Sequence, residues 1–118
     1  MSRITQLAKE IITPGNGPVV QAGMRTTVHA TGNVRQPGGA LKKFWSTRDP
    51  GQQPFQFNAG KGEVIAGWDQ GVLGMKVGEK ANIMIPANMG YGSSGFPAWG
   101  IPPDADLCFE IEVLQTAG

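Results

Sequence analysis

One histidine and one cysteine stand in this 118-residue chain, and neither has the company that catalysis by those groups requires. His29 lies between Val28 and Ala30 in the run Arg25-Thr-Thr-Val-His-Ala-Thr31, with no nucleophile and orienting acid identifiable around it. A hydrolytic triad therefore has a single possible base and no visible partners for it. A histidine metal cluster is excluded by the count. Cys108 has no second thiol to pair with, and reads as a packing residue. Gly90-Tyr-Gly-Ser-Ser-Gly95 matches the dinucleotide fingerprint letter for letter, but Phe96-Pro97 and Ile101-Pro-Pro103 follow where the receiving helix must begin. Gly60-Lys-Gly62 has the composition of an anion cradle, with Glu63 placed to repel the anion. The chain is expected to use no metal and no cofactor.

The remaining chemistry is apolar recognition. Phe44, Trp45, Phe55, Tyr91, Phe96 and Trp99 lie in or beside proline- and glycine-rich segments, and Phe57, Trp68 and Phe109 complete the aromatic set. Two large rings in one loop, Phe96 and Trp99, are costly to expose unless they cover a pocket or meet a partner. An apolar concavity with few polar groups is a ligand site by default, and proline rings are natural guests for aromatic surfaces.

The element that must organise these rings is the stretch Gly60 to Met75. Ile65, Trp68 and Val72 recur at i, i+3 and i+7, with Val64, Leu73 and Met75 widening the stripe and Asp69 and Gln70 off it. That spacing predicts a helix from Glu63 to Leu73, with Glu63 favourable at its start and Lys76 just past its end. Gly67 and Gly71 each cost such a helix about 1 kcal/mol of propensity. It must be held by packing, and its glycines let the backbone approach a sheet closely.

Strands are expected at Lys9–Thr13, Arg25–Thr31 (ending at Gly32), from Lys43 through Trp45, Phe55–Phe57, Lys80–Ile85 and from Leu107 to Val113. The last has the strongest period of two, with Leu107, Phe109, Ile111 and Val113 on one face and Cys108, Glu110 and Glu112 on the other. Asn33–Leu41 reads as a loop, and Ala87–Asp106 as a long irregular segment of the kind that tends to carry function. The expected fold is α+β, an antiparallel sheet of five to six strands curled around one short helix. Residues 1–9 read as a flexible lead-in and 10–118 as the one domain.

Eighteen glycines and nine prolines are dispersed among Trp, Phe, Ile and Val, as turn punctuation in a β-rich domain rather than low complexity. The formal net charge is +1 and the longest basic run is Lys42-Lys43, so no nucleic-acid partner is expected. No apolar run approaches the ~20 residues needed to span a bilayer, and none forms a signal-peptide core. One cysteine permits no internal disulfide, so a reducing, cytoplasmic setting is expected, for a monomer away from membranes.

Several further motifs, in this order along the chain, resemble the FKBP family of peptidyl-prolyl cis–trans isomerases. They are Val28-His-Ala-Thr-Gly32, Phe55-Gln-Phe57, Gly62-Glu-Val-Ile-Ala-Gly-Trp68, Met75-Lys-Val-Gly-Glu79, Tyr91-Gly92 and Ile101-Pro-Pro103. Phe44-Trp-Ser-Thr47 and Gly95-Phe-Pro-Ala-Trp-Gly-Ile101 are most similar to small plant-type members. The likeness runs from about Glu10 to Gln115. It implies a pocket floored by Trp68 and walled by Phe44, Phe55, Val64, Ile65, Ile101 and Phe109. It also implies that the Ile65 N–H and the Tyr91 hydroxyl donate to substrate or drug carbonyls, with Phe96 on a flap over the mouth. Tyr91, Ile65, Trp68, Phe44 and Phe109 are thus the expected catalytic set. Proline-containing peptides and proteins, and macrolides such as tacrolimus and rapamycin, are the implied partners. Two positions depart from the family pattern: Trp45 stands where many members carry an Asp, and Ala30 where many carry a Tyr lining the pocket. The alternative function is a proline-directed binding module or chaperone adaptor in which those changes traded turnover for affinity; an unrelated apolar-ligand carrier is a third.

Rotation about an X–Pro bond needs no bond to break. Its barrier of ~18–20 kcal/mol is lost amide resonance, and the twisted amide is less polar than the planar one. An apolar cage therefore binds the twisted form better relative to the ground state.

Overall fold

The structure, a computed structural model, describes residues 6–36 and 38–117. Of the expected lead-in, residues 1–5 lie outside them, and Ala8 and Lys9 already belong to the first strand. Among the described residues there are six strands, β1 Ala8–Thr13, β2 Arg25–Arg35, β3 Leu41–Ser46, β4 Phe55–Asn58, β5 Lys80–Ile85 and β6 Asp106–Ala117. One α-helix, α1, spans Ala66–Val72, and three single 3₁₀ turns occupy Ala87–Met89, Gly92–Ser94 and Pro97–Trp99. All pairings are antiparallel, in the order β1-β5-β6-β2-β3, with β4 also on β2. This is the α+β arrangement that the sequence predicts.

The centre of the sheet is the pair β2–β6, registered from Arg25↔Ala117 to Arg35↔Asp106 with one slip after Thr27. Period two is strict in β2, whose residues from Thr26 to Val34 alternate between buried and half-buried. In β6, Leu107, Phe109, Ile111 and Val113 are buried at 3% exposure or less. One face of the sheet thus supplies the core and the other meets water.

Strand β2 outruns its expected end at Gly32. Glycine is needed there for space rather than as a stop: a Cβ at Gly32 would lie 2.7 Å from both Phe109 Cε2 and Phe44 Cζ. The ladder to β3 slips at this point, between Gly32 and Asn33, and then continues to Arg35↔Leu41. Much of the expected loop 33–41 is therefore the close of a hairpin.

On its other edge β2 is shared. β4 pairs with Arg25–Val28 and β3 with Thr31–Arg35. In the gap, Thr47 covers Ala30: its N–H donates to the Ala30 carbonyl (2.9 Å), and its Oγ1 accepts the Ala30 N–H (2.9 Å). The backbone at the divergence is satisfied without a strand. β3 and β4 can then splay apart, and Trp45 and Phe55 face each other between them, ring centroids 6.3 Å apart.

The helix is shorter than its apolar spacing predicts, seven residues from Ala66 with Ile65 as N-cap. Glu63, expected at its start, instead accepts the Asn58 N–H (2.9 Å) and Asn58 Nδ2 (2.8 Å). Those bonds hold its carboxyl below the usual range. The close approach of helix and sheet is as expected: a Cβ on Gly67 would lie 2.5 Å from Ile85 Cγ2, and one on Gly71 2.9 Å from Ile83 Cγ2. The propensity that these glycines cost is offset by burial of Trp68 and Val72 against the strands.

Candidate active site

Trp68 is the hub of the aromatic side chains. It is 4% exposed on α1, and four rings surround it. Phe109 lies edge-on at 5.3 Å, Phe57 at 5.6 Å and Phe55 at 5.7 Å between centroids, and Trp45 is tilted by 47° at 6.1 Å. Near-perpendicular contacts set the positive edge of one ring on the negative face of the next. Phe44 meets Phe109 in the same way, 5.7 Å apart at 89°, over the gap that Gly32 leaves.

These rings border a concavity of about 440 Å³, lined by Phe44, Trp45, Phe55, Gly62, Glu63, Val64, Ile65, Trp68, Tyr91, Trp99 and Phe109. Seven of the chain's nine aromatic side chains face one space. Two of its lining residues carry unused hydrogen-bond donors, since neither the Ile65 N–H nor the Tyr91 hydroxyl has a partner among the described residues. Burial also pushes the Tyr91 hydroxyl pKa above the ordinary phenol value, so it remains a donor at neutral pH. An apolar cage with two free donors has the chemistry to suit a chain carrying carbonyl groups beside an apolar ring. Glu63 is the one carboxylate on the rim, and it is engaged by Asn58.

Three residues expected in the site lie off this concavity. Ala30 is 2% exposed within the core on β2 and is not among the lining residues. Ile101 is 1% exposed and borders a separate groove beside Pro97, Pro102 and Pro103. Phe96 stacks on Trp99 instead, centroids 4.7 Å apart at 14°, and meets Tyr91 edge-on at 5.5 Å.

Phe96 thereby carries Trp99 into the wall, where Trp99 also lies 6.3 Å from Phe44. Trp99, one of the two rings expected to cover a pocket or meet a partner, lines the concavity, as do Gly62 and Glu63, which had no expected place in it. The exposure cost of paired rings in one loop was the available signal for Trp99. His29 is engaged elsewhere, its Nδ1 2.9 Å from Thr47 Oγ1. Cys108 is buried, and desolvation, with smaller contributions from Glu10 and Glu110, raises its thiol pKa away from the reactive thiolate. No α-helix follows Gly90–Gly95, only 3₁₀ turns, so the fingerprint there has no helix N-terminus to offer.

Comparison with known proteins fixes the family. The FKBP-type peptidyl-prolyl cis-trans isomerase family matches residues 17–114. The chain belongs to the FKBP-type peptidyl-prolyl cis–trans isomerases. This isomerase is 54% identical over 107 residues to the peptidyl-prolyl cis-trans isomerase FKBP12 of Arabidopsis thaliana, covering 91% of this chain and 95% of that protein. It is 53% identical to FKBP12 of Vicia faba with the same coverage, and 40% identical over 112 residues to FK506-binding protein 1 of Aspergillus oryzae. The isomerase has no helix, among its described residues, long and apolar enough to cross a membrane.

Proposed function

We propose that the aromatic concavity is where this isomerase turns X–Pro bonds. The observation that carries the reading is the pair of unpaired donors, Ile65 N–H and Tyr91 O–H, in a wall otherwise made of aromatic and aliphatic groups. An N–H without a protein partner on a half-buried residue is open to a peptide carbonyl. Trp68 and Phe109 receive the proline ring, with Phe44 and Phe55 beside them and Val64 on the wall. The two donors anchor carbonyls flanking the rotating bond, and Trp99 closes the flap side above Phe44.

In this cage the planar amide, with its resonance charge separation, loses water and gains few dipoles in return. The twisted amide loses less. That difference lowers the barrier, with no proton transferred and no covalent intermediate.

The reading extends to macrolides. Relatives bear the name FK506-binding protein, and the free donors suit the carbonyls of such a ligand as they suit a peptide. Trp45 supplies an indole N–H at the mouth but no carboxylate acceptor, so tacrolimus is held here by apolar contact and by donors. A monomer in the cytoplasm fits a chain whose one cysteine is buried and unpaired.

The test is cis-to-trans relaxation of a short Leu-Pro peptide, with and without the protein and again with tacrolimus. Acceleration abolished by the drug is expected. Acceleration that persists at saturating drug keeps the enzyme and removes the macrolide. No acceleration by folded protein, with the peptide still bound, makes this a proline-directed binding module.

A further inference from the structure

Asp69 lies off the apolar stripe of α1 and lines no part of the concavity, yet it is only 9% exposed. Its two oxygens have separate partners. Oδ1 accepts the Gly60 N–H at 3.0 Å and Oδ2 the Gly62 N–H at 2.6 Å, short enough for a charge-assisted bond. Gly60 and Gly62 have φ of +74° and +76°, backbone that side-chain-bearing residues rarely adopt. Left-handed backbone at both positions lets two amides converge on one anion, as in a backbone nest. The cradle expected of Gly60-Lys-Gly62 exists, and the chain's own carboxylate fills it.

The loop so held runs straight into the wall. Gly62, Glu63, Val64 and Ile65 line the concavity, and Ile65 carries one of its free donors. Around Gly62 there is open space, since nothing lies within 4 Å of a Cβ built there. The second latch, Asn58 to Glu63, is exposed to water. The buried one is Asp69, one residue along α1 from Trp68.

We propose that Asp69 is a positioning residue for isomerisation. It touches no substrate; it holds Gly60 and Gly62 so that the Ile65 N–H meets the bound chain in one geometry. The proposal rests on the concavity being the isomerase site. Preorganisation of this kind is felt as weakened binding when the support is removed.

Asp69→Asn keeps the volume but turns one acceptor into a donor aimed at an N–H. The expected result is a kcat/KM for the Leu-Pro peptide about tenfold lower, carried mainly by KM. Amide hydrogen exchange at Gly60 and Gly62 should accelerate by a similar factor, while Val28 and Ile111 in the core hold their rates. Asp69→Glu, which keeps both acceptors, should recover a large part of both losses. Wild-type kcat/KM in an Asn variant whose loop amides exchange faster overturns the proposal and leaves the site intact. So does an activity loss matched by equal acceleration at the core amides, because Asp69 then acts on stability alone.

Should the Asn variant fail to fold, the wild-type protein provides the measurement. Saturating peptide must slow exchange at Gly60 and Gly62, because coupling between loop and ligand is reciprocal; unchanged exchange overturns the proposal. If the peptide perturbs neither Ile65 nor Trp68 in the wild-type protein, the site reading fails first and takes this one with it.

Discussion

The two halves of the concavity are built on different principles. The floor is regular structure: Trp68 on α1 and Phe109 on β6, backed by Phe57 on β4, are at most 4% exposed and interlock edge to face. The flap side is a chain of 3₁₀ turns in which Tyr91 is half-buried, Phe96 is 37% exposed and Trp99 is 47% exposed. The flap has its own internal bonds, Phe96 N–H to Ile101 O (2.9 Å) and Ile101 N–H to Phe96 O (3.1 Å), which close the turn on itself. Its buried anchor is Ile101, next to the Pro102-Pro103 pair that begins the return to β6. The floor cannot shift without moving the core, whereas the rim can adjust to what it holds. If the concavity is the isomerase site, as proposed, a cage that favours a twisted amide needs the first property under the proline and the second around the flanking chain.

The sharpest break of that comparison is at the floor. Trp68→Ala should cost about 3–5 kcal/mol in urea unfolding, and folded variant should lose about a hundredfold or more in kcat/KM. Retained activity in folded variant would remove Trp68 from the site.

Next is Gly67→Ala, which sets helix propensity against packing. Alanine gains about 1 kcal/mol of propensity, but its Cβ would meet Ile85 at 2.5 Å. Overpacking of about 1–3 kcal/mol should prevail. A more stable variant, read by thermal or urea unfolding, would show that the helix is free to move off β5.

The rim should behave differently. Trp99→Ala is expected to change stability by no more than about 0.5 kcal/mol and to raise KM about fivefold, the worth of one aromatic contact. A stability loss as large as that at Trp68 would erase the distinction between the halves. Tyr91→Phe removes one hydrogen bond and should lower kcat/KM about threefold to fivefold. An unchanged rate and affinity would take Tyr91 out of the site.

The smallest effect is that of pH. With no acid–base step, the rate should vary by less than about twofold between pH 6 and 8, and a bell with a histidine-like limb would refute the mechanism. Burial raises the folded-state pKa of Tyr91, so the stability it contributes is fully present below the unfolded phenol value of about 10. That stability is lost as pH climbs through the raised value, because the unfolded chain releases its proton first.

Legibility in the sequence followed the kind of signal each element carries. Strand β6 announced itself because one alternation places four apolar side chains on one face. The closeness of α1 to the sheet was readable from Gly67 and Gly71. The helix start was not, because Glu63 is drawn away by Asn58, a contact with a residue before the helical pattern begins. Gly32 misled as a strand end because its purpose, space for Phe44 and Phe109, depends on two distant side chains. Among the site residues, Phe44, Trp45, Phe55, Val64, Ile65, Trp68, Tyr91 and Phe109 come together, while Trp99 takes a wall position in a space that Phe96 was expected to cover.

Composition and periodicity by themselves indicate where the chain must extend and where it must turn, because those depend on local backbone and side-chain preferences. Motif order along the chain points to the family that the comparisons show. What only the folded chain decides is adjacency: which ring leans on which, that Thr47 completes β2 at Ala30, and that the carboxylate in the Gly60–Gly62 cradle belongs to Asp69. Asp69 reads in one dimension as a polar residue on the outer side of a helix. Only the return of the loop past that side, brought about by packing of Trp68 and the strands, turns it inward to hold two amides.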